Sequence, residues 1–466
     1  MTNPATSTTP ETVTPEPSAL KRNISGKMLY LFILGDVLGA GIYALVGQIS
    51  GEVGGVTWVP MLVALALALL TAASYAELVT KYPRAGGSAV FAERAYGKPL
   101  ISFLVGFCML AAGVVSAAGL ALAFAGDYLA TFIDVPPVLG AVIFLAAIGL
   151  LNARGIKESV RANLVMTVIE TTGLVLVVVA VGLMLGGGGG DVGRAVRFEE
   201  GSQPVFAIFG AALLAYYSFV GFETSANVIE EVRDPSRVYP KALFGALATA
   251  GVLYVLVGTA ASIAVPSSEL AESTGPLLTV ITATGVGIPA WLFSAIALVA
   301  VANGALLTMI MSSRLTYGMS TQGLIPPVFS KVLPKRGTPW VAIATTTVVA
   351  MLLTVTGSIA TLAETVVLLL LLVFLSTNIA VLVLRRDRVE NRHFRAWSFL
   401  PVLGALSCVV LLTQQSGEVW LRSAIIVAVG CVLYVVTRLA RRTSGTGPAP
   451  SSPNQNENAE PEGARE

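Results

Sequence analysis

The chain holds 466 residues; 55% are hydrophobic, only 12% are charged, and a single histidine accompanies a formal net charge of +2. That charged share is about half the ~25% of soluble domains. It excludes a string of soluble globular domains and leaves one polytopic membrane bundle, with a mean hydropathy of +0.79.

Residues 1–24, opening MTNPATSTTPETVTPEPSAL, are Thr/Pro-rich without a basic-then-apolar leader pattern and read as a disordered cytoplasmic tail. A spanning helix needs ~20 mostly apolar residues. Twelve such stretches fill a membrane domain at 25–440: 28–48, 57–79, 100–126, 137–152, 162–185, 204–229, 240–264, 287–316, 340–357, 361–384, 398–414 and 420–438. The fourth is short and the eighth long. Residues 441–466 read as a second disordered cytoplasmic tail.

With the N-terminus inside, every lysine and arginine except Arg194, Arg197 and Arg422 falls in an inner segment. That is the positive-inside pattern of twelve spans in the plasma or inner membrane with both termini cytoplasmic. Cys108, Cys408 and Cys431 lie within spans and lack metal-ligand spacing, so they are expected to be packing residues. The glycines at 186–190 open an external loop as a flexible spacer, and His393, in RRDRVENRHFR, is expected in solvent beside anionic headgroups.

Most spans are uniform Leu/Val/Ala runs; two are not. The first carries GDVLGAG, with Asp36 among Gly35, Gly39 and Gly41, and the sixth carries AYYSFVGFETSANVIEE, with Ser218, Gly221, Glu223 and Thr224 at mid-depth. Gly35 and Gly39 have the spacing that lets two helices pack closely. A charge at the bilayer centre costs at least ~2.5–3.5 kcal/mol, however, which makes Asp36 a functional candidate. An unwound stretch leaves peptide groups unpaired at several kcal/mol each and survives only around a cavity or ligand. The two segments lie five spans apart. That offset is expected if 28–185 and 204–384 are inverted copies, each starting with a discontinuous helix that contributes to a mid-membrane site.

Four stretches carry a family resemblance. GAGIYALVG resembles a G-x-G-I-F motif in helix 1, and ELVTKYPRAGGSAVFAERAYG resembles a helix 2–3 loop pattern, E-L…P-x-A-G-G-x-Y. GFETSANVIEEVRDPSRVYPKAL resembles the helix 6–7 signature G-F-[DE]…E-E-x-[KR]-[ND]-P-x-R…P. SSRLTYGMSTQGLIPPVFSKVLPKRGTPWVAI resembles the stretch after helix 8. In this order, over about residues 25–385, the chain resembles the amino acid–polyamine–organocation transporters, and within them bacterial relatives of the cationic amino acid transporters. The resemblance implies an all-α membrane protein of 12 transmembrane helices. Its fold would be a LeuT-like 5+5 inverted repeat with discontinuous helices 1 and 6, plus two trailing helices at 398–438.

The resemblance further implies an alternating-access carrier for an amino acid. The substrate carboxylate would sit against the helix 1 backbone at Gly39, Ala40, Gly41 and Ile42, where freed N–H groups and a half-helix dipole favour an anion. Its ammonium would meet carbonyls of Tyr217, Ser218 and Val220. Phe219 and Phe222 would be pocket wall or gate, against the plainer alternative of core- or lipid-facing aromatics. Glu223 could neutralise a cationic substrate tail, although carriers of neutral substrates also have an acid in this motif.

In helix 5 the chain departs from its proton-coupled relatives. GIKESVRANLVMTVIE matches their pattern, except that Glu170 stands where they carry a lysine facing helix 1 carbonyls, here those of Gly35 and Leu38. A carboxylate cannot copy an ammonium's three donors. Protonated, as burial favours, Glu170 could donate to a helix 1 carbonyl; ionised, it could hold sodium with those carbonyls and Thr167 or Thr171. A third alternative has it facing another polar group with neither role.

Asp36 is the second acid for the coupling site, or a partner for a basic group elsewhere. Asn303 faces that site or a neighbouring helix, and Asn378 reads the same way. Glu77, Arg84, Glu230, Glu231 and Arg233 form either an inner gate or plain interfacial ion pairs.

The function expected is therefore proton-coupled amino acid import. Exchange, sodium coupling and a non-transporting amino acid sensor are the alternatives. No Ser/His/Asp set or metal-ligand cluster points to an enzyme, and no filter motif to a channel. Cofactors and nucleic acid are not expected partners. The lipid bilayer is, and oligomeric state is left open.

Overall fold

Peptide groups in hydrocarbon have no water to bond, so a chain this apolar must satisfy them within helices. The computed structural model describes residues 24–39, 41–84, 86–154, 160–199, 203–334 and 336–443. Both tails expected from the sequence, apart from their innermost residues, lie outside these. Among the described residues the regular structure is helical, apart from a single bridge between Ile24 and Val232.

The first apolar stretch forms two helices, α1 (Gly26–Leu38) and α2 (Gly41–Val53). They are followed by α3 (Trp58–Lys81), α4 (Gly87–Tyr96), α5 (Pro99–Phe124), the single turn α6 (Asp127–Ala130), α7 (Pro137–Arg154) and α8 (Val160–Gly186). The second half opens with α9 (Pro204–Phe219), which passes into a 3₁₀ segment, Phe222–Glu231. Then come α10 (Pro235–Ala264), α11 (Ser267–Glu272), α12 (Pro276–Thr284), α13 (Ala290–Thr321), α14 (Trp340–Leu353), α15 (Ile359–Leu384), α16 (Phe399–Thr413) and α17 (Gly417–Thr443).

Among the described residues, nine helical stretches are long and apolar enough to cross a bilayer, or ten when the bent α1–α2 pair counts as one. Each coincides with a stretch marked from the sequence. The ninth and eleventh stretches form helices of only 14 and 15 residues, short of the ~20 a straight crossing needs. α14 stops early because Thr354 and Thr356 fold back on it, each hydroxyl donating to a carbonyl three residues earlier. The Ser358 hydroxyl then accepts from the Thr361 N–H and starts α15.

α5 runs through the centre, packed on α13 and α15, while α2 lies along α9 and α1 lies against α8 and α10. This brings both irregular segments into the middle of the bundle.

Charged groups fasten its two ends. At the end rich in lysine and arginine, Arg385 after α15 makes a two-pronged contact with Glu77 of α3, at 3.1 and 2.9 Å. The Ala396 N–H also donates to Glu77, at 2.9 Å. Beside them the Lys81 ammonium donates to the carbonyls of Leu384 and Asp387, both at 2.6 Å. Of the residues grouped as a possible gate, Glu77 is therefore tied to α15 and the loop after it. At the opposite end, one oxygen of Asp127 accepts from the Ser273 hydroxyl and from the N–H groups of Thr274 and Gly275, each at 2.9 Å. This pins the start of α12 to the start of α6.

Glu77 is buried and Arg385 largely so, its side chain 13% exposed, and removing Arg385 strands the buried charge of Glu77. Arg385→Met is expected to lower stability by about 3–5 kcal/mol, read as a fall in thermal unfolding midpoint in detergent. Adding Glu77→Gln should recover part of the loss.

Candidate functional site

Each break in the first and sixth spans is packed against the other. α1 ends at Leu38, α2 begins at Gly41, and their axes bend by 42°. A Cβ on Gly41 would lie 2.7 Å from the Ser218 Cα, so only glycine lets the start of α2 approach the end of α9 this closely. The second break has the reciprocal requirement. Gly221 has φ +123°, a conformation L side chains rarely adopt, and a Cβ there would lie 2.7 Å from the Asp36 carbonyl oxygen. Beyond it the chain continues as a 3₁₀ helix rather than an α-helix.

The carbonyls freed by the breaks are met by side-chain hydroxyls. Tyr254 of α10 points its hydroxyl at the Val37 carbonyl (2.6 Å) and the Ser218 carbonyl (2.9 Å), one from each broken span. Tyr43 donates to the Glu170 carbonyl and Tyr128 to the Tyr43 carbonyl, each at 2.8 Å, which fastens α2 to α8 and to α6. The Thr224 hydroxyl contacts the Asp36 carboxylate and also lies 2.8 Å from the Gly221 carbonyl. Glu223 accepts the Gly221 N–H at 2.9 Å, so its carboxylate caps the turn that precedes it.

Between the breaks lies a cavity of about 60 Å³. A water needs roughly 10–15 Å³ on this measure, so the space takes several waters or the main-chain end of an amino acid. The broken segments line one side with Asp36, Val37, Gly39, Gly41, Tyr217, Ser218, Val220, Gly221, Glu223 and Thr224. The other side comes from α5, α13 and α15. The N–H groups in the first turn of α2 have no carbonyl within their own helix, which gives an anion a site at this edge.

A second polar cluster sits behind the cavity, where α1, α8 and α13 meet. Gly35 packs directly on Thr167 and Asn163, with no room for a side chain. The Asn303 amide of α13 donates to the Asn163 Oδ1 and to the Glu170 Oε1, each at 3.1 Å. All three side chains are buried. The Thr167 hydroxyl is spent on the Asn163 carbonyl at 2.7 Å. Among the described residues the Glu170 Oε2 has no hydrogen-bond partner.

Of the residues singled out from the sequence, Asp36, Gly39, Gly41, Tyr217, Ser218, Val220 and Glu223 thus line one cavity. Gly35, Glu170 and Asn303 meet in the cluster behind it. Ala40 lies outside the described residues. Ile42 and Leu38 are buried outside the lining. Phe219 packs edge-on against Tyr254, and Phe222 stacks on Phe374 beside Tyr75. Neither lines the cavity.

Sequence reasoning passed over Tyr254, Tyr128, Ser116, Thr308 and Asn163. Their only signal was a lone hydroxyl or amide in an apolar run, which needs a partner wherever it is buried. Asn378 bonds instead with Ser74 and Thr71 of α3, away from the site.

A family model described as amino acid permease matches residues 24–442. The branched-chain amino acid permease BcaP of Bacillus subtilis is 26% identical over 446 residues, covering 89% of this chain and 93% of the relative. The methylthioribose transporter of the same organism is 27% identical, with 89% and 93% covered. The low-affinity putrescine importer PlaP of Escherichia coli is 26% identical, with 85% and 89% covered.

Tyr254→Phe removes the hydroxyl between the two broken spans and leaves buried carbonyls unmet. It is expected to cost about 1–3 kcal/mol of stability, measured by thermal unfolding in detergent. An unchanged midpoint would show that the breaks are held apart from this contact.

Proposed function

The chain belongs to the amino acid permease family, and on that premise we propose that it is a secondary active importer of amino acids working by alternating access as a proton symporter. It is a multi-pass membrane transporter and not an enzyme. The observation that carries the finer reading is the pairing of the breaks: Gly41 against Ser218 and Gly221 against Asp36, with a cavity between them. Unwound backbone persists in a bilayer only where a cavity or ligand receives it.

In this reading the first-turn N–H groups of α2, from Gly41 and Ile42, bind the substrate carboxylate. Carbonyls at the end of α9, from Tyr217, Ser218 and Val220, face the ammonium together with Asp36. Spans 1–5 and 6–10 form the inverted repeat, with α14 and the trailing α16 counted among twelve spans. The Lys/Arg-rich end faces the cytoplasm of a cell whose plasma or inner membrane holds the protein.

Coupling is assigned to Glu170. A carboxylic acid has a donor in one protonation state and only acceptors in the other, so a proton gained or lost there changes what it offers α1 and Asn303. A sodium ion would need oxygen ligands. The group that meets the Glu170 Oε1 is instead a donor, the Asn303 Nδ2, which also bonds the Asn163 Oδ1. This favours the proton.

Uptake into proteoliposomes under separately imposed pH and sodium gradients tests the assignment. Accumulation should follow the pH gradient alone. Glu170→Gln should abolish accumulation while leaving counterflow of labelled substrate; accumulation driven by sodium, or by neither gradient, overturns proton symport. Asp36→Asn is expected to reduce transport more than binding, compared by flux and by ligand-induced thermal shift.

A further inference from the structure

We infer that the substrate's side chain is uncharged and apolar, aliphatic or thioether, and that cationic amino acids and polyamines are poor ligands. The inference rests on the amino acid transport reading and narrows it. It comes from the side of the cavity opposite the broken spans. There α5 presents Met109, Ala112, Gly113, Ser116 and Leu120, α13 presents Gly304, Thr308 and Met311, and α15 presents Val366 and Leu370. The α5 positions follow one helical stripe, and the others recur at spacings of three or four, so each helix turns one face inward.

That wall carries no charge, and each of its two hydroxyls already makes a hydrogen bond within the protein. Ser116 is bonded to the Tyr217 hydroxyl at 2.8 Å. Thr308 donates to carbonyls of its own helix, Gly304 at 2.8 Å and Ala305 at 3.0 Å. The remaining side chains of the wall are aliphatic or thioether.

The cavity's two carboxylates, Asp36 and Glu223, are on the broken segments and not on α5, α13 or α15. Both hold neutral donors there, Thr224 for Asp36 and the Gly221 N–H for Glu223. With its main-chain groups held at the breaks, a substrate must direct its side chain toward the uncharged wall. A guanidinium or second ammonium placed against that wall would find no carboxylate on α5, α13 or α15, and would have to share Asp36 and Glu223 with the substrate's own ammonium and with the neutral donors already on them. A polyamine would also lack the carboxylate that the first turn of α2 accepts. Aliphatic and thioether chains suit the wall, and Met109 and Met311 can shift to fit branched or linear forms.

The test uses the purified full-length chain. Thermal shift is measured with each of the twenty amino acids and with putrescine, followed by uptake of labelled leucine into proteoliposomes against the same competitors. Leucine, isoleucine and methionine should stabilise the protein and compete with one another, and arginine, lysine and putrescine should compete about 100-fold more weakly. Stabilisation or saturable uptake led by arginine, lysine or putrescine overturns the apolar-side-chain inference and leaves the transport reading standing. If no amino acid stabilises the protein or crosses the bilayer, both readings fall. Leu370→Glu, which puts an acid on the wall, should shift the preference toward arginine; since this variant tests folding as well, the wild-type panel decides.

Discussion

The Tyr254 hydroxyl has one proton and faces two carbonyls, those of Val37 and Ser218. Both belong to broken helices, and neither has its full complement of partners inside its own helix. A tyrosine is suited to this place because its ring is at home in an apolar core while its tip needs a polar partner. Since a single proton cannot fully satisfy two acceptors, some acceptor capacity is left facing the cavity. The breaks are thus stable enough to persist yet polar enough to receive a ligand. If this contact were lost, the close approaches at Gly41 and Gly221 would keep only the Thr224–Asp36 hydrogen bond and van der Waals packing to hold them in register.

The middle and the two ends of the bundle are held by different chemistry. Near the breaks the bonds run from hydroxyls and amides to carbonyls or carboxylates, with no ion pair among the described residues there. At the ends, Glu77 with Arg385 and Asp127 with the start of α12 use full charges. The difference follows from solvation: a charge near the interface keeps part of its hydration, whereas one at mid-depth must be matched entirely by protein. The end contacts also join helices far apart in sequence, α3 to α15 and α6 to α12. The parts around the cavity are therefore fastened at both mouths and only lightly bonded at the centre.

Much of this was legible in the sequence, for reasons that also explain what was not. Hydropathy located the helices because lipid demands long apolar runs. It overran at 354–357, where Thr354 and Thr356 bend the chain back without lowering its apolar character much. The breaks were visible because glycine, an acid and small polar residues crowd into one turn, a pattern a plain spanning helix avoids. That Gly41 touches Ser218 while Gly221 touches Asp36 was not visible, since contact between distant segments leaves no mark on either alone. Tyr254 was hidden for the same reason: one tyrosine in an apolar run looks alike whether it reaches a carbonyl or a headgroup. The convergence of α5, α13 and α15 was equally obscure, because helices apolar on every side do not announce which face meets the cavity.

The balance of charge at the core gives these arrangements their direction. Asp36, Glu170 and Glu223 all lie at or beside the cavity, and the residues lining it include no lysine, arginine or histidine. A bound ammonium therefore finds acids on the broken segments, whereas a bound carboxylate must rely on peptide N–H groups. That asymmetry orients a zwitterion before any side chain is read. It also bears on Glu170. An acid at this position adds no positive charge beside the cavity, and its Oε1 is held by the Asn303 amide. Gly35 packs on α8 while Asp36, one residue on, faces the second break, so a shift of α1 would be felt at both the polar cluster and the cavity.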